Sequence, residues 1–183
     1  KLDFLNQTGL GYITLDRLTK TLSGGESQRV SLATQLAASL TGTMYILDEP
    51  SVGLHPVDIG MLITQLKKLS LRGNTVVVVE HDPAIIKASG HIVELGPSAG
   101  ERGGRLVWSG PTEGFLKESR TITADYLTGR LVIHTPRWRR KGSGRSLTLS
   151  GASGNNLKDI TVKIPLKTLA CVTGVSGSGK SSL

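Results

Sequence analysis

Gly174-Val175-Ser176-Gly177-Ser178-Gly179-Lys180-Ser181-Ser182 decides how the rest of this chain is read. Its spacing is G-x-x-x-x-G-K-[ST], the pattern of a loop that cradles phosphates between a strand and a helix. Glycines let backbone amides converge on phosphate oxygens where a side chain would block the approach. Gly174, Ser176, Gly177, Gly179 and Ser182 are the candidate cradle. Lys180 can reach the β/γ-phosphates, and the Ser181 hydroxyl can ligate Mg²⁺. Such a loop opens a nucleotide-binding domain. Here it comes last, so the chain is expected to be a piece of a longer nucleotide-binding protein.

Working back from the loop, residues 146–150, 161–164 and 168–173 are predicted as three strands leading into it. Before them, residues 134–145 carry Pro136, Gly142, Ser143 and Gly144, the marks of a linker. A second domain is therefore expected from about residue 146, with the first ending near 133. In the first, Val30, Ala33, Ala37 and Leu40 recur at helical spacing over 26–40. Residues 44–47 are a short buried strand. Pro56 suits a first helical turn, and that helix runs to Leu71. The β-branched run 75–79 predicts a fully buried parallel strand. A short helix from Asp82-Pro83 to Ala88 and a strand over 91–95 follow. This alternation predicts a doubly wound α/β core with a mostly parallel sheet. An outer strand is expected over 105–108 and a helix over 112–118.

Composition narrows the class. Hydrophobic residues make up 38% of the chain and no run approaches the ~18 apolar residues of a membrane span. The single Cys171 cannot form an internal disulfide; it lies in an apolar run and is expected in the core. A cytoplasmic setting fits. The net charge of +8 is local: between Asp125 and Asp159 there is no acidic residue, and the seven Lys and Arg in that gap account for all but one unit of it.

Three further stretches carry chemistry. Leu22-Ser23-Gly24-Gly25-Glu26 opens a helix whose exposed amides and dipole suit phosphate; an ordinary capping box reads equally well. Residues 44–49 are four apolar residues followed by Asp48 and Glu49, carboxylates at a strand's C-terminal end, where ligands of open α/β sheets bind. Asp48 can hold Mg²⁺ through water and Glu49 can polarise an attacking water, though many strands end in acids. His81 follows the run 75–79 and can orient that water or bond a γ-phosphate, while a lone histidine is more often structural.

Together these stretches resemble the ATP-binding cassette family: Leu22–Glu26 its signature, with Glu26 where transporters usually have Gln, residues 44–49 Walker B, Ser51-Val52-Gly53-Leu54 the D-loop, His81 the switch histidine, and residues 174–182 the Walker A of a second cassette. Because Walker A follows the others, the chain is expected to span the back of one cassette and the front of the next. Within the family it resembles UvrA proteins, the damage-recognising ATPases of bacterial nucleotide excision repair. The most specific stretches are Tyr12-Ile13-Thr14-Leu15-Asp16-Arg17, residues 49–56, Glu80-His81-Asp82, residues 96–100 and residues 155–160. That resemblance implies ATP and Mg²⁺ as cofactors, double-stranded damaged DNA and UvrB as partners, a homodimer of the full-length protein, no membrane, and zinc modules outside this stretch. It also implies that Leu22, Ser23, Gly24, Gly25 and Glu26 face ATP, with Glu49 and His81 serving hydrolysis. A drug-resistance paralogue, or another tandem cassette ATPase of transport or translation, is the alternative. Arg137, Arg139, Arg140 and Lys141, with Trp138 among them, read either as a contact to DNA phosphates or as a solvated tether.

Overall fold

The computed structural model describes residues 2–38, 40–139, 141–175 and 177–183, which divide into one unit up to Ile133 and another from His134. Ser176 and Arg140, assigned above to the cradle and the basic cluster, lie outside the described residues.

In the first unit, α1 (Leu2–Gln7) and α2 (Gly24–Ala37) precede β1 (Met44–Asp48), α3 (Pro56–Leu71), β2 (Thr75–Val79) and α4 (Pro83–Ala88). The alternation has the expected result: β1 and β2 pair in parallel, with Ile46 opposite Val77 and Asp48 opposite Val79. Tyr45, Leu47, Val76 and Val78 turn toward α3 and pack with Leu32, Ile59, Leu62, Leu66, Leu69 and Ile85. The two strands are not fully buried as expected. Met44, Ile46, Val77 and Val79 are exposed, because no described element covers that face. Asn74 closes the α3–β2 turn, accepting from the Thr43 amide and donating to the Leu40 and Leu69 carbonyls. The signature helix ends at Ala37, short of the expected residue 40. Leu40 is exposed and Leu32 supplies the core contact instead.

β3 (His91–Gly96) does not join this sheet. It pairs antiparallel with β4 (Arg105–Pro111), which runs three residues beyond the expected strand. α5 (Thr112–Glu118) and α6 (Ile122–Thr128) follow, and their Phe115, Ala124 and Leu127 form a second small core with Trp108 and Ile92. The Trp108 and Phe115 rings meet edge to face at 5.7 Å, an arrangement that adds about 0.5–1.5 kcal/mol to burial.

In the second unit β5 (Ser146–Ala152) and β6 (Ile160–Pro165) form an antiparallel pair. Residues 168–173 form no strand: with no partner ladder among the described residues their backbone groups have nothing to pair with. Leu169 and Val172 are exposed, and Cys171 is exposed too, contrary to its expected place in a core. The expected linker is not wholly free. The Leu166 carbonyl accepts from the Ser143 amide and its amide donates to the Arg145 carbonyl, extending the β5–β6 ladder toward the basic cluster. From His134 on, nine Lys and Arg face a single acid, Asp159, so this unit holds the whole net charge. Among the described residues, no helix is long and apolar enough to cross a membrane.

Candidate nucleotide site

The parallel pairing of β1 and β2 sets the chemistry, because both strands end at one edge. The chain leaves β1 through Glu49, whose φ of 44° is left-handed and whose amide donates to the Val79 carbonyl at 2.9 Å. A non-glycine residue held there costs about 1–3 kcal/mol and is a feature of functional turns. The Glu49 carboxylate then lies 3.4 Å from His81 Nε2 across the strand ends. Both side chains face solvent, where a reacting water could sit. Asp48, the last residue of β1, is exposed at the same edge. The structure thus places Asp48, Glu49 and His81 together, although 31 residues separate Glu49 from His81.

The turn that follows is held by Glu80, which the motif reading quoted beside His81 but gave no role. Glu80 accepts from the Ser51 amide at 2.8 Å and the Ser51 hydroxyl at 3.0 Å, and from the amides of His81 and Asp82 at 2.9 and 3.2 Å. Its partial burial would raise its pKa; the Ser51 hydroxyl and the three amides outweigh that and hold the carboxyl below its ordinary range.

At the signature, Ser23 caps α2 with a complete capping box. The Ser23 hydroxyl accepts from the Glu26 amide at 3.3 Å, and the Glu26 carboxylate accepts from the Ser23 amide at 2.8 Å. The first amides of the helix, those of Gly24 and Gly25, have no carbonyl inside it to bond. Nothing lies within 4 Å of where a Gly24 side chain would begin, whereas a Gly25 Cβ would sit 3.6 Å from the Val52 carbonyl oxygen. The signature and the D-loop therefore pack backbone against backbone. Leu22 is half-buried just ahead of the cap.

Glu26 is buried and turned back into the loop. Tyr12 donates to it at 2.6 Å and Arg17 lies 3.5 Å away. Burial pushes its carboxyl up, but the Tyr12 hydroxyl, the Ser23 amide and the Arg17 charge together hold it below the ordinary value. These bonds explain why residues 12–17 accompany the signature. A carboxylate with a depressed pKa stabilises the fold above its unfolded-state pKa, and that contribution is lost as pH falls through the folded-state value. Ser23→Ala is expected to cost about 1 kcal/mol of stability, read as a lower denaturant midpoint at unchanged slope.

In the second unit the loop residues fit a phosphate group. Gly174, Gly177 and Gly179 have φ of 153°, 75° and 93°. A Cβ on Gly174 would come within 2.7 Å of Ser178 Oγ, and one on Gly179 within 2.7 Å of Asn156 Oδ1. Lys180 Nζ donates to the carbonyls of Gly174 and Val175 at 2.7 and 2.8 Å, folding its charge into the loop. Two asparagines not assigned to the cradle brace it: Asn156 donates to the Gly177 carbonyl at 2.9 Å and Asn155 to the Ser182 hydroxyl at 3.1 Å. Ser181 is exposed beside Lys180. Arg137, Arg139 and Lys141 are exposed, as is Trp138 at 91%.

No family model matches the chain. Among curated proteins it is 54% identical over all 183 residues to "UvrABC system protein A" of Malacoplasma penetrans and of Synechocystis, and 52% identical to that of Listeria monocytogenes. The chain spans about a fifth of the length of these relatives, 19% in each case. Among solved structures, UvrA2 from Deinococcus radiodurans matches 99% of the chain with a TM-score of 0.90 and 47% identity, using 22% of its own length. With half its residues identical along its entire length and with a shared fold, this chain belongs, as a segment, to the UvrA family of ATP-binding cassette proteins.

Proposed function

We propose that this chain joins the rear of one ATP-binding cassette to the front of a second in a UvrA-type ATPase of nucleotide excision repair. The protein binds and hydrolyses ATP to engage DNA lesions and load UvrB. The observation that carries this reading is the meeting of Glu49 and His81 at the shared edge of two parallel strands. It is joined by a phosphate-loop sequence later in the same chain.

Glu49 polarises the attacking water and His81 holds it in line; Asp48 would hold Mg²⁺ through water. Gly174, Gly177, Gly179, Lys180, Ser181 and Ser182 hold phosphate and metal at the second cassette. Leu22, Ser23, Gly24 and Gly25 offer the amide end of α2, with Glu26 as the brace that shapes it. The bound Mg²⁺ would offset the developing phosphate charge. Cytoplasmic location and a homodimer belong to this reading, as do damaged DNA and UvrB as partners. DNA-stimulated ATP hydrolysis by the full-length protein, together with rescue of ultraviolet survival in a repair-deficient host, tests it. ATPase activity without rescue would instead favour a drug-resistance paralogue.

The basic cluster gives a separate expected result. If Arg137, Arg139, Arg140 and Lys141 touch DNA phosphates, neutralising all four lowers affinity for damaged and undamaged duplexes about equally. Phosphate contacts position a protein without reading sequence. Each lost contact flattens the log–log salt slope by ~0.9. An unchanged slope at unchanged affinity makes the cluster a tether.

A further inference from the structure

Glu80 joins the two turns on which the Glu49–His81 pair stands. An ionised carboxylate offers about four acceptor positions, and here four donors meet it. Oε1 takes the Ser51 amide, while Oε2 takes the Ser51 hydroxyl and the amides of His81 and Asp82. Two of these donors belong to the turn after β1 and two to the turn after β2.

The spacing gives the bonds their leverage. Glu49 is held at one end by its amide on Val79. Pro50, the next residue, is buried and has no amide to donate. Ser51 is thus the first later residue whose amide can tie the turn to β2, and its partner is Glu80. On the other side Glu80 directly precedes His81 and grips the His81 amide, so the backbone that aims the imidazole hangs from the same carboxylate. The D-loop beyond Ser51 lies against Gly25 of α2, so a shift of that helix end would reach the pair through Ser51 and Glu80.

We propose that Glu80 is a positioning residue for hydrolysis: it clamps Ser51 to the His81 turn and so sets the separation of Glu49 from His81. This rests on the roles given to Glu49 and His81 above. Glutamine has the right size but the wrong chemistry. With its carbonyl oxygen in the place of Oε2, its NH₂ meets the Ser51 amide donor to donor; with the amide turned over, the NH₂ meets the His81 and Asp82 amides instead.

The test uses the full-length protein and compares Glu80→Gln, Ser51→Ala and the double variant, with Glu49→Gln as reference. Single-turnover hydrolysis and equilibrium ATP binding are measured on each. Glu80→Gln is expected to slow hydrolysis about 10–100-fold, as expected for a displacement of up to ~1 Å at reacting groups, with ATP binding unchanged. Ser51→Ala is expected to slow it less, and the double variant no more than Glu80→Gln alone, because the two share one interaction.

The proposal is overturned if Glu80→Gln hydrolyses at the wild-type rate while Glu49→Gln does not, if the two losses multiply, or if binding falls in step with rate. Wild-type hydrolysis by Glu49→Gln overturns instead the catalytic reading beneath it. Should Glu80→Gln fail to fold, Ser51→Ala decides alone, and a wild-type rate in that variant counts against the clamp.

Discussion

Glu49→Gln is expected to slow ATP hydrolysis by about 10²–10⁴-fold, the usual contribution of a positioned general base, while nucleotide still binds. Glutamine keeps the length and one acceptor oxygen of glutamate, so the contact with His81 Nε2, now 3.4 Å, keeps an acceptor. What is lost is the negative charge that draws a proton from water. The turn itself is held elsewhere, by the Glu49 amide on Val79 and by Ser51 on Glu80, and glutamine at φ 44° meets the same backbone cost as glutamate. The variant should therefore accumulate the ATP-bound state. Single-turnover hydrolysis with a parallel binding titration checks this, and a wild-type rate at intact affinity would assign Glu49 another role. His81→Ala should give a smaller loss, since it removes the orienting contact and leaves the base.

How much of this arrangement was legible beforehand depended on range. Local signals read well. Ser23 and Glu26 predicted a capping box, and both of its bonds are present. Pro56 and Leu71 bound α3, and Pro83 and Ala88 bound α4, as their spacing and turn residues predicted. Apart from the parallel pairing of β1 with β2, what depends on neighbours did not read well. The run 75–79 reads as buried on both faces, yet burial alternates along it, because a β-branched strand has the same sequence whether one face or two are covered. Residues 168–173 have strand composition but no ladder to join, and Cys171 is exposed with them. β3 pairs with β4 rather than extending the parallel sheet, a choice of partner that periodicity does not encode. The site divided in the same way. Asp48, Glu49 and His81 announce themselves by residue type at strand ends. Glu80, Asn155 and Asn156 lie in stretches the resemblance singled out, but their bonds to Ser51, Ser182 and Gly177 span 21 to 29 positions, and their residue types assign them no role until those groups are in place.

Lys180→Ala is expected to weaken ATP binding at the second-unit loop by about 10–100-fold. A charge-assisted hydrogen bond contributes about 1.5–3 kcal/mol, and each 1.4 kcal/mol is worth about tenfold in affinity. The ammonium group donates to the carbonyls of Gly174 and Val175 at 2.7 and 2.8 Å. Lys180 thus does two things that alanine abolishes together. It ties the loop to itself through the Gly174 and Val175 carbonyls, and it carries the one positive charge placed within the loop sequence. Lys180→Arg separates them. The charge remains, but a planar fork replaces a compact point charge and does not fit two carbonyls of one tight turn. If charge alone governs affinity, Lys180→Arg binds close to wild type; if the tie matters, it falls toward Lys180→Ala. The Asn156 bond to the Gly177 carbonyl survives in both variants, so the loop is not expected to collapse. Equilibrium titration with a fluorescent ATP analogue reads the difference. Unchanged affinity in Lys180→Ala would mean that residues 174–182 do not hold phosphate, and the nucleotide reading of the second unit would fall with them.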